Sequence, residues 1–447
     1  MPGSFGQHAI VVGAGMAGLT AAKALSSSFD KVTVLERDAL PSTAEPRIGT
    51  PHCRQLHVLL RGGLEALSEF CPSFEQELEK AGAVRVRVGS EILVEAPGFD
   101  PFPQRDVGID SLSMTRPLIE LVARRLIEQD ANIVMQAGCR VTRLLASPDR
   151  SAVTGVCYDL ANGDNAELGA DLVVDASSRG TLTLELLDHL ELPRPEETEI
   201  GVDLAYATAT FRIPRRAPRN WRAVFHRPSA SSGRGGFLFP IENQCWHVGL
   251  NGVHGEAPPD QFDEFIAFAG GLRTSTIHDA IKHAEPVGAI HRFNLPASVR
   301  RRFETLRRFP QRLIPIGDTI CRFNPAYGQG MTVAVQEARV LGSLLASRAS
   351  NIDWLDGLAP AFFEAIQGVL AAPWSVAEND FIYGKTRGSC PRDFQQRMQF
   401  SAALQKVAAQ DADVHRTLAE VNHLLKPPSA LRTPEIVSKV EAMMAAI

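Results

Sequence analysis

Apolar and polar positions divide the chain into short, wholly apolar runs and longer alternating ones. Residues 8–12 (HAIVV), 31–35 (KVTVL), 171–175 (DLVVD) and 312–316 (RLIPI) are apolar runs of strand length, as expected for strands covered on both faces. The first leads through a glycine cluster into an Ala/Leu-rich helix ending near residue 28. Residues 113–120 (SMTRPLIE) open an amphipathic helix with Pro117 in its first turn, and residues 332–347 predict a long helix with small and apolar residues on one face. Residues 132–145 and 153–160 read as paired strands. Segments 199–213, 222–226, 236–242 and 245–251 alternate or run apolar between Gly, Pro and Asn, the habit of an antiparallel sheet. From about residue 351 the chain turns to Ala, Leu, Glu and Gln at helical spacing, which predicts a helical tail bounded by Pro427 and Pro428.

A chain of 447 residues exceeds what one core usually holds, so two or three domains are expected. With 45% hydrophobic and 22% charged residues it has the composition of a globular protein. A net charge of -5 offers no basic excess for a phosphate backbone, which argues against nucleic acid as a partner. The apolar stretch 333–346 is interrupted by Gln336, Glu337 and Arg339, so no integral membrane segment is expected. The first residues lack the charged, apolar and small-residue regions of a leader, and a cytoplasmic location follows as the expectation. Seven cysteines, Cys53, Cys71, Cys139, Cys157, Cys245, Cys321 and Cys390, are widely spaced without a CxxC pair and read as reduced thiols. His52 and His57 are five apart rather than the three or four that align ligands on one helical face, and no metal site is expected.

The chemistry begins at Gly13-Ala14-Gly15-Met16-Ala17-Gly18, between the first strand and the first helix. Gly13 permits a tight turn, Gly15 lets backbone amides approach a pyrophosphate, and Gly18 lets the helix lie against the strand. The amides of Met16 and Ala17 would face the phosphates at the positive end of the helix. Glu36 closes the second strand, 18 residues after Gly18, where a carboxylate accepts the ribose hydroxyls. Glycines alone would fit an ordinary turn; strand, helix and acid together indicate a dinucleotide, without separating NAD from FAD.

A second constellation lies about 300 residues on. The 312–316 run enters Gly317-Asp318, then Phe323-Asn324-Pro325-Ala326-Tyr327-Gly328-Gln329-Gly330-Met331, and the long helix follows. Here the sequence resembles the flavoprotein monooxygenases of the para-hydroxybenzoate hydroxylase type. The resemblance implies FAD as cofactor, with Asp318 on the ribityl chain and the amides around Gly328, Gly330 and Met331 at the ring edge that turns negative on reduction. It also implies cofactor contacts from Arg116, Arg37, Arg47, Val141 and Gly317.

Aromatic hydroxylases of this type carry Asp-Gly after the 171–175 strand, where this chain has Ser177-Ser178. Electrons are therefore expected from NAD(P)H either directly or through a separate flavin reductase. The stretch 47–60 (RIGTPHCRQLHVLL) and the 323–331 run resemble the squalene-epoxidase-like enzymes that include the polyether ionophore epoxidases. Flavin halogenases share the fold but carry a Trp-x-Trp motif and a reactive lysine; Trp221, Trp246, Trp354 and Trp374 make no such pair in sequence.

The fold class expected is α/β, α+β overall, with a Rossmann-like FAD-binding domain interleaved with an antiparallel-sheet substrate domain and a helical C-terminal region. The FAD-binding domain is expected from 1–75, 105–185 and 295–350, the substrate domain from 76–104 and 186–294, and the helical region from 351–447. The resemblance implies a monooxygenase that inserts one atom of O2 into a small apolar organic substrate through a flavin C4a-hydroperoxide, with water excluded. Phe211, Phe237, Phe239, Pro325 and Tyr327 are the expected pocket wall, and no catalytic residue is identifiable. No titratable constellation stands out to activate a phenol, which favours epoxidation over hydroxylation in secondary metabolism. A reductase or dehydrogenase of the geranylgeranyl reductase type, a flavin halogenase and a non-catalytic nucleotide binder are the alternatives.

Overall fold

The computed structural model describes residues 5–445. Its centre is a five-stranded, wholly parallel sheet in the order Leu313–Pro315, Leu172–Asp175, Gly6–Val12, Phe29–Glu36, Ile133–Ala137. The apolar runs form these strands because both faces are covered: Ile10, Val11, Val32, Val34, Val173 and Val174 are wholly buried. On one face the helices Met16–Leu25 and Gly330–Arg348 pack against each other so closely that a β-carbon on Gly342 would meet Ala24 at 3.4 Å. The other face is covered by an antiparallel sheet of Cys139–Ala146, Val153–Leu160 and Asn165–Gly169.

The segment expected as one strand over 132–145 is two. Ile133–Ala137 ends the parallel sheet and Cys139–Ala146 opens the antiparallel one, with Gly138 turning the chain between them in a left-handed conformation (φ +70°).

A seven-stranded sheet lies over the nucleotide-binding layers. Its order is Cys321–Arg322, Pro286–Arg301, Glu197–Arg212, Cys245–Gly252, Gly235–Ile241, Ala223–His226, Ile92–Glu95, antiparallel except for the last pair. The sixteen-residue strand Pro286–Arg301 was not marked by the alternation pattern, and it spans the expected boundary at 294–295. Helices Phe262–Gly270 and Thr276–Ile281 cover one face of this sheet. The other face turns toward the nucleotide-binding layers.

Beyond residue 351 the chain is helical, and Pro428 starts a short turn rather than ending the region. Helix Pro434–Ala445 follows and packs Ile436 and Val440 against helices Phe394–Gln410 and Ala412–Asn422. No helix among the described residues is long and apolar enough to cross a membrane.

Candidate active site

Each glycine of the first turn has a distinct surrounding. Gly13 adopts φ +99°, and a β-carbon there would lie 2.9 Å from the Ala176 carbonyl oxygen. On Gly18 it would lie 1.8 Å from the carbonyl oxygen of Gly13, so only glycine lets the helix seat on the strand. On Gly15 it would meet nothing within 4 Å. Helix Met16–Leu25 has no side-chain cap and no acid in its first turn, which leaves its N-terminal amides for an outside anion. Met16 is buried, and Ala17 is half-buried on the same turn.

Glu36 is 5% exposed and accepts hydrogen bonds from the backbone N–H of Ala14 (2.8 Å) and Asp38 (3.0 Å). Arg47 pairs with Glu36 (3.0 Å), Asp38 (3.4 Å) and Glu120 (3.0 Å), while Arg116 pairs with Glu120 (2.9 Å). Burial alone would raise the Glu120 carboxyl; Arg116 and Arg47 outweigh it and hold it below the usual range. Arg116 also bears electrostatically on Asp318, His52 and His57, which places it between the two glycine constellations. Arg37 is exposed and donates to the Gly49 carbonyl. Val141 sits half-buried at a bulge in the antiparallel sheet, packed on the cluster containing Val12 and Leu35.

The second constellation adjoins the first. Gly317 adopts φ +66°, and a β-carbon on it would lie 2.8 Å from the Ala17 β-carbon, so the Gly-Asp turn rests on the first helix. The Gly317 N–H donates to Glu337 (2.6 Å), a wholly buried carboxyl that burial, with help from Asp318, raises to about 8. Burial likewise raises the Asp318 carboxyl, against the pull of Arg116, Arg322 and Arg301. A cleft of about 370 Å³ opens beside it, lined among others by Ser178, Arg179, Arg301 and Arg322.

Past Asp318, the Asn324 side chain accepts from the Ala326 N–H (2.9 Å) and donates to Asp380 (2.9 Å). The Tyr327 hydroxyl donates to the other oxygen of Asp380 (2.7 Å). Gly328, at φ +66°, lies against Val58, and a β-carbon on Gly330 would meet nothing within 4 Å. Helix Gly330–Arg348 again starts without a side-chain cap or an acid in its first turn, with Met331 buried. Thr332 accepts from the Leu60 N–H (3.1 Å), which ties segment 52–60 to this helix start.

The strand register decides which aromatic residues face these turns. Phe237 and Phe239 lie on the sheet face shared with Leu56, Phe225, Phe293, Ala326 and Tyr383, and Phe225 stacks on Phe237 at 5.0 Å. Pro325 and Tyr327 belong to the short turn opposite. Phe211 is on the far face, wholly buried against Phe262 and Phe265, so it is core of the helix-covered side and not part of this wall. Trp221 and Trp246 do come together (6.0 Å, stacked), also on that far face.

Several groups here carry no sequence signal strong enough to single them out. Asp380 is 1% exposed, and burial raises its carboxyl to about 6; it stands in the C-terminal region, 53 residues beyond the tyrosine it binds. His52 and His57 form a ring pair at 5.6 Å. Burial first, then Arg116, lowers His52 to about 3 and His57 well below its ordinary value, so both are neutral at pH 7. Only the tertiary fold joins Asp380 to Tyr327 and brings Arg116 near the two histidines, because these partners lie on distant segments.

Two uncapped helix starts, each behind a glycine whose missing side chain leaves room, come together where the Gly317 turn rests on Ala17, within the electrostatic reach of Arg116. That geometry fits a molecule with a pyrophosphate at one end and a ring that becomes anionic at the other, and with the parallel sheet it defines a flavoprotein of the para-hydroxybenzoate hydroxylase fold. The chain belongs to the FAD binding domain family, whose profile matches residues 7–351. It is thus an FAD-dependent oxidoreductase. Protein Rv3254 of Mycobacterium tuberculosis (strain ATCC 25618 / H37Rv) is 33% identical over 361 residues, 77% of this chain and 74% of that protein. Among solved structures, the flavin-dependent brominase Bmp2 matches with a TM-score of 0.67 at 13% identity, covering 98% of this chain and 100% of its own. PqsL, a probable FAD-dependent monooxygenase from Pseudomonas aeruginosa, matches with a TM-score of 0.60 at 16% identity, covering 85% and 99%. These likenesses carry the fold.

Proposed function

We propose that the protein is a flavin-dependent monooxygenase that transfers one oxygen atom from O2 to a largely apolar organic substrate, by epoxidation or hydroxylation. Its FAD would lie with the pyrophosphate at Gly13, Gly15, Met16, Ala17 and Gly18, and with the ribose at Glu36. Asp318 would hold the ribityl chain, and Gly328, Gly330 and Met331 the ring. When bound and reduced, that flavin supplies the electrons and the site at which oxygen is activated. The observation that carries the proposal is the aromatic wall of Phe225, Phe237, Phe239 and Phe293 facing the Pro325–Tyr327 turn. Such a wall excludes water beside the ring, a condition for oxygen transfer instead of peroxide release.

The Tyr327–Asp380 pair supplies what the sequence lacked, a buried titratable couple beside the ring cradle. It removes the preference for epoxidation, since a carboxyl raised to about 6 is mostly ionised at neutral pH and can accept a proton for hydroxylation as well. NAD(P)H would supply electrons directly or through a separate flavin reductase; the arginines of the cleft beside Asp318 suit the phosphates of a directly bound donor. A dehydrogenase on the same scaffold would turn over without oxygen, and a halogenase would need halide.

The test is substrate turnover with NAD(P)H, with and without a reductase, under air and under argon, with 18O2 and with added bromide. Incorporation of one labelled oxygen atom is expected. Turnover that persists under argon refutes the proposal in favour of a dehydrogenase, and a brominated product in favour of a halogenase.

A further inference from the structure

We propose that the substrate carries a carboxylate at the end of its apolar body, and that Arg227 receives it. This deepens the oxygenase reading, because it concerns the same cleft. Arg227 directly follows the Ala223–His226 strand, and its guanidinium stands 5.2 Å over the Phe225 ring, on the side where it feels Tyr327. Among the described residues this half-buried guanidinium has neither a carboxylate nor a carbonyl oxygen within hydrogen-bond reach. Neighbouring Arg273 shows the contrast: it binds both oxygens of Asp100 (2.6 and 2.8 Å) and the Arg227 carbonyl (3.2 Å). The Arg227 nitrogens are not among the fully buried partnerless atoms, so the donor fork stands open at the cleft with no protein acid engaging it, and an arriving anion meets it unopposed.

A second observation points to the same ligand. Tyr206 and Asn251 are cross-strand partners on this face of the sheet, 7% and 2% exposed. The Tyr206 hydroxyl and the Asn251 side-chain oxygen have no hydrogen-bond partner. Native interiors rarely leave such atoms alone, and a ligand bearing oxygen atoms would satisfy the tyrosine. Around them stand Phe225, Phe237, Phe239 and Phe293, which suit hydrocarbon. The neighbouring Arg273 is already taken up by Asp100, which leaves a single guanidinium fork for the ligand and fits a monoanionic carboxylate better than a doubly charged phosphate.

The probes are dodecanoate and 4-phenylbutanoate, each against its own primary amide, titrated into FAD-loaded protein without reductant. Binding is read from perturbation of the visible flavin spectrum and from thermal shift. At least one acid is expected to bind about tenfold or more tightly than its amide, with Arg227→Gln abolishing the preference and Arg227→Lys keeping part of it. Equal binding of acid and amide, no binding by either acid, or a preference that survives in Arg227→Gln overturns the proposal. If Arg227→Gln loses FAD, the acid-to-amide ratios of wild type and Arg227→Lys decide. An acid preference together with turnover under argon would sink the oxygenase reading and leave the carboxylate site standing.

Discussion

Substituting Gly15 and Gly18 by alanine separates cofactor binding from folding within one turn. A methyl on Gly15 meets no protein atom within 4 Å, and the backbone there (φ -76°, ψ -179°) is open to any residue. Gly15→Ala therefore costs the apoprotein only the weaker helix start, about 1 kcal/mol, or a fall in Tm of about 2 °C for a chain of this size. Toward FAD the same methyl stands where the phosphates approach. Losing two charge-assisted amide hydrogen bonds, at about 1.5–3 kcal/mol each, weakens binding by roughly 10²- to 10⁴-fold. In Gly18→Ala the new methyl lies 1.8 Å from the Gly13 carbonyl oxygen, so helix Met16–Leu25 must lift off its strand. Overpacking of that kind costs about 1–3 kcal/mol or more, and the apoprotein itself should be destabilised. Calorimetric titration of FAD into deflavinated protein and thermal denaturation without FAD measure the two effects. Wild-type FAD affinity in Gly15→Ala would refute the placement of the pyrophosphate.

Glu337, raised to about 8 by burial, binds a proton in the folded state that the unfolded chain releases near 4.5. Its contribution is fully present below about pH 4.5 and is lost as pH rises toward 8, by up to about 1.4 kcal/mol per pH unit. Glu337→Gln, which can still accept from Gly317, should match wild type in denaturant unfolding near pH 5 and exceed it at pH 9; an unchanged pH slope would count against the buried acid. Asp380, raised to about 6, should give the flavin spectrum or turnover an inflection near pH 6 that disappears in Asp380→Asn, while Asp380→Ala should also loosen Tyr327. Persistence of the inflection in Asp380→Asn would assign it to another group. Asp318→Ala should lower FAD affinity by roughly ten- to a hundredfold through loss of ribityl hydrogen bonds, and unaltered retention on dilution would exclude that contact. All seven cysteines are unpaired and Cys390 alone is exposed, so one thiol should react rapidly with a maleimide in native protein and seven in denaturant.

What the sequence determined by itself are the features encoded by neighbours along the chain. A fully apolar run followed by glycines and a helix is legible because strand burial, turn conformation and helix start are local, and so Gly13 to Gly18, Glu36 and Gly317-Asp318 could be read directly. Alternation likewise disclosed Glu197–Arg212 and its partner Cys245–Gly252 as antiparallel strands, since period two is written residue by residue, but it missed the other partner, Pro286–Arg301. Which face of those strands turns to the 325–327 turn is not written there. Phe211 and Phe237 look alike in sequence, yet the register and the two covering layers send one against Phe262 and the other toward Ala326. Tertiary structure also decided the charge states: Asp380 and Glu337 are raised only because packing removes water from them, and Arg227 lacks a counter-ion only because no acid from distant segments folds beside it. Burial and pairing are properties of assembled space, so the chemistry of this cleft appears only once the chain has folded.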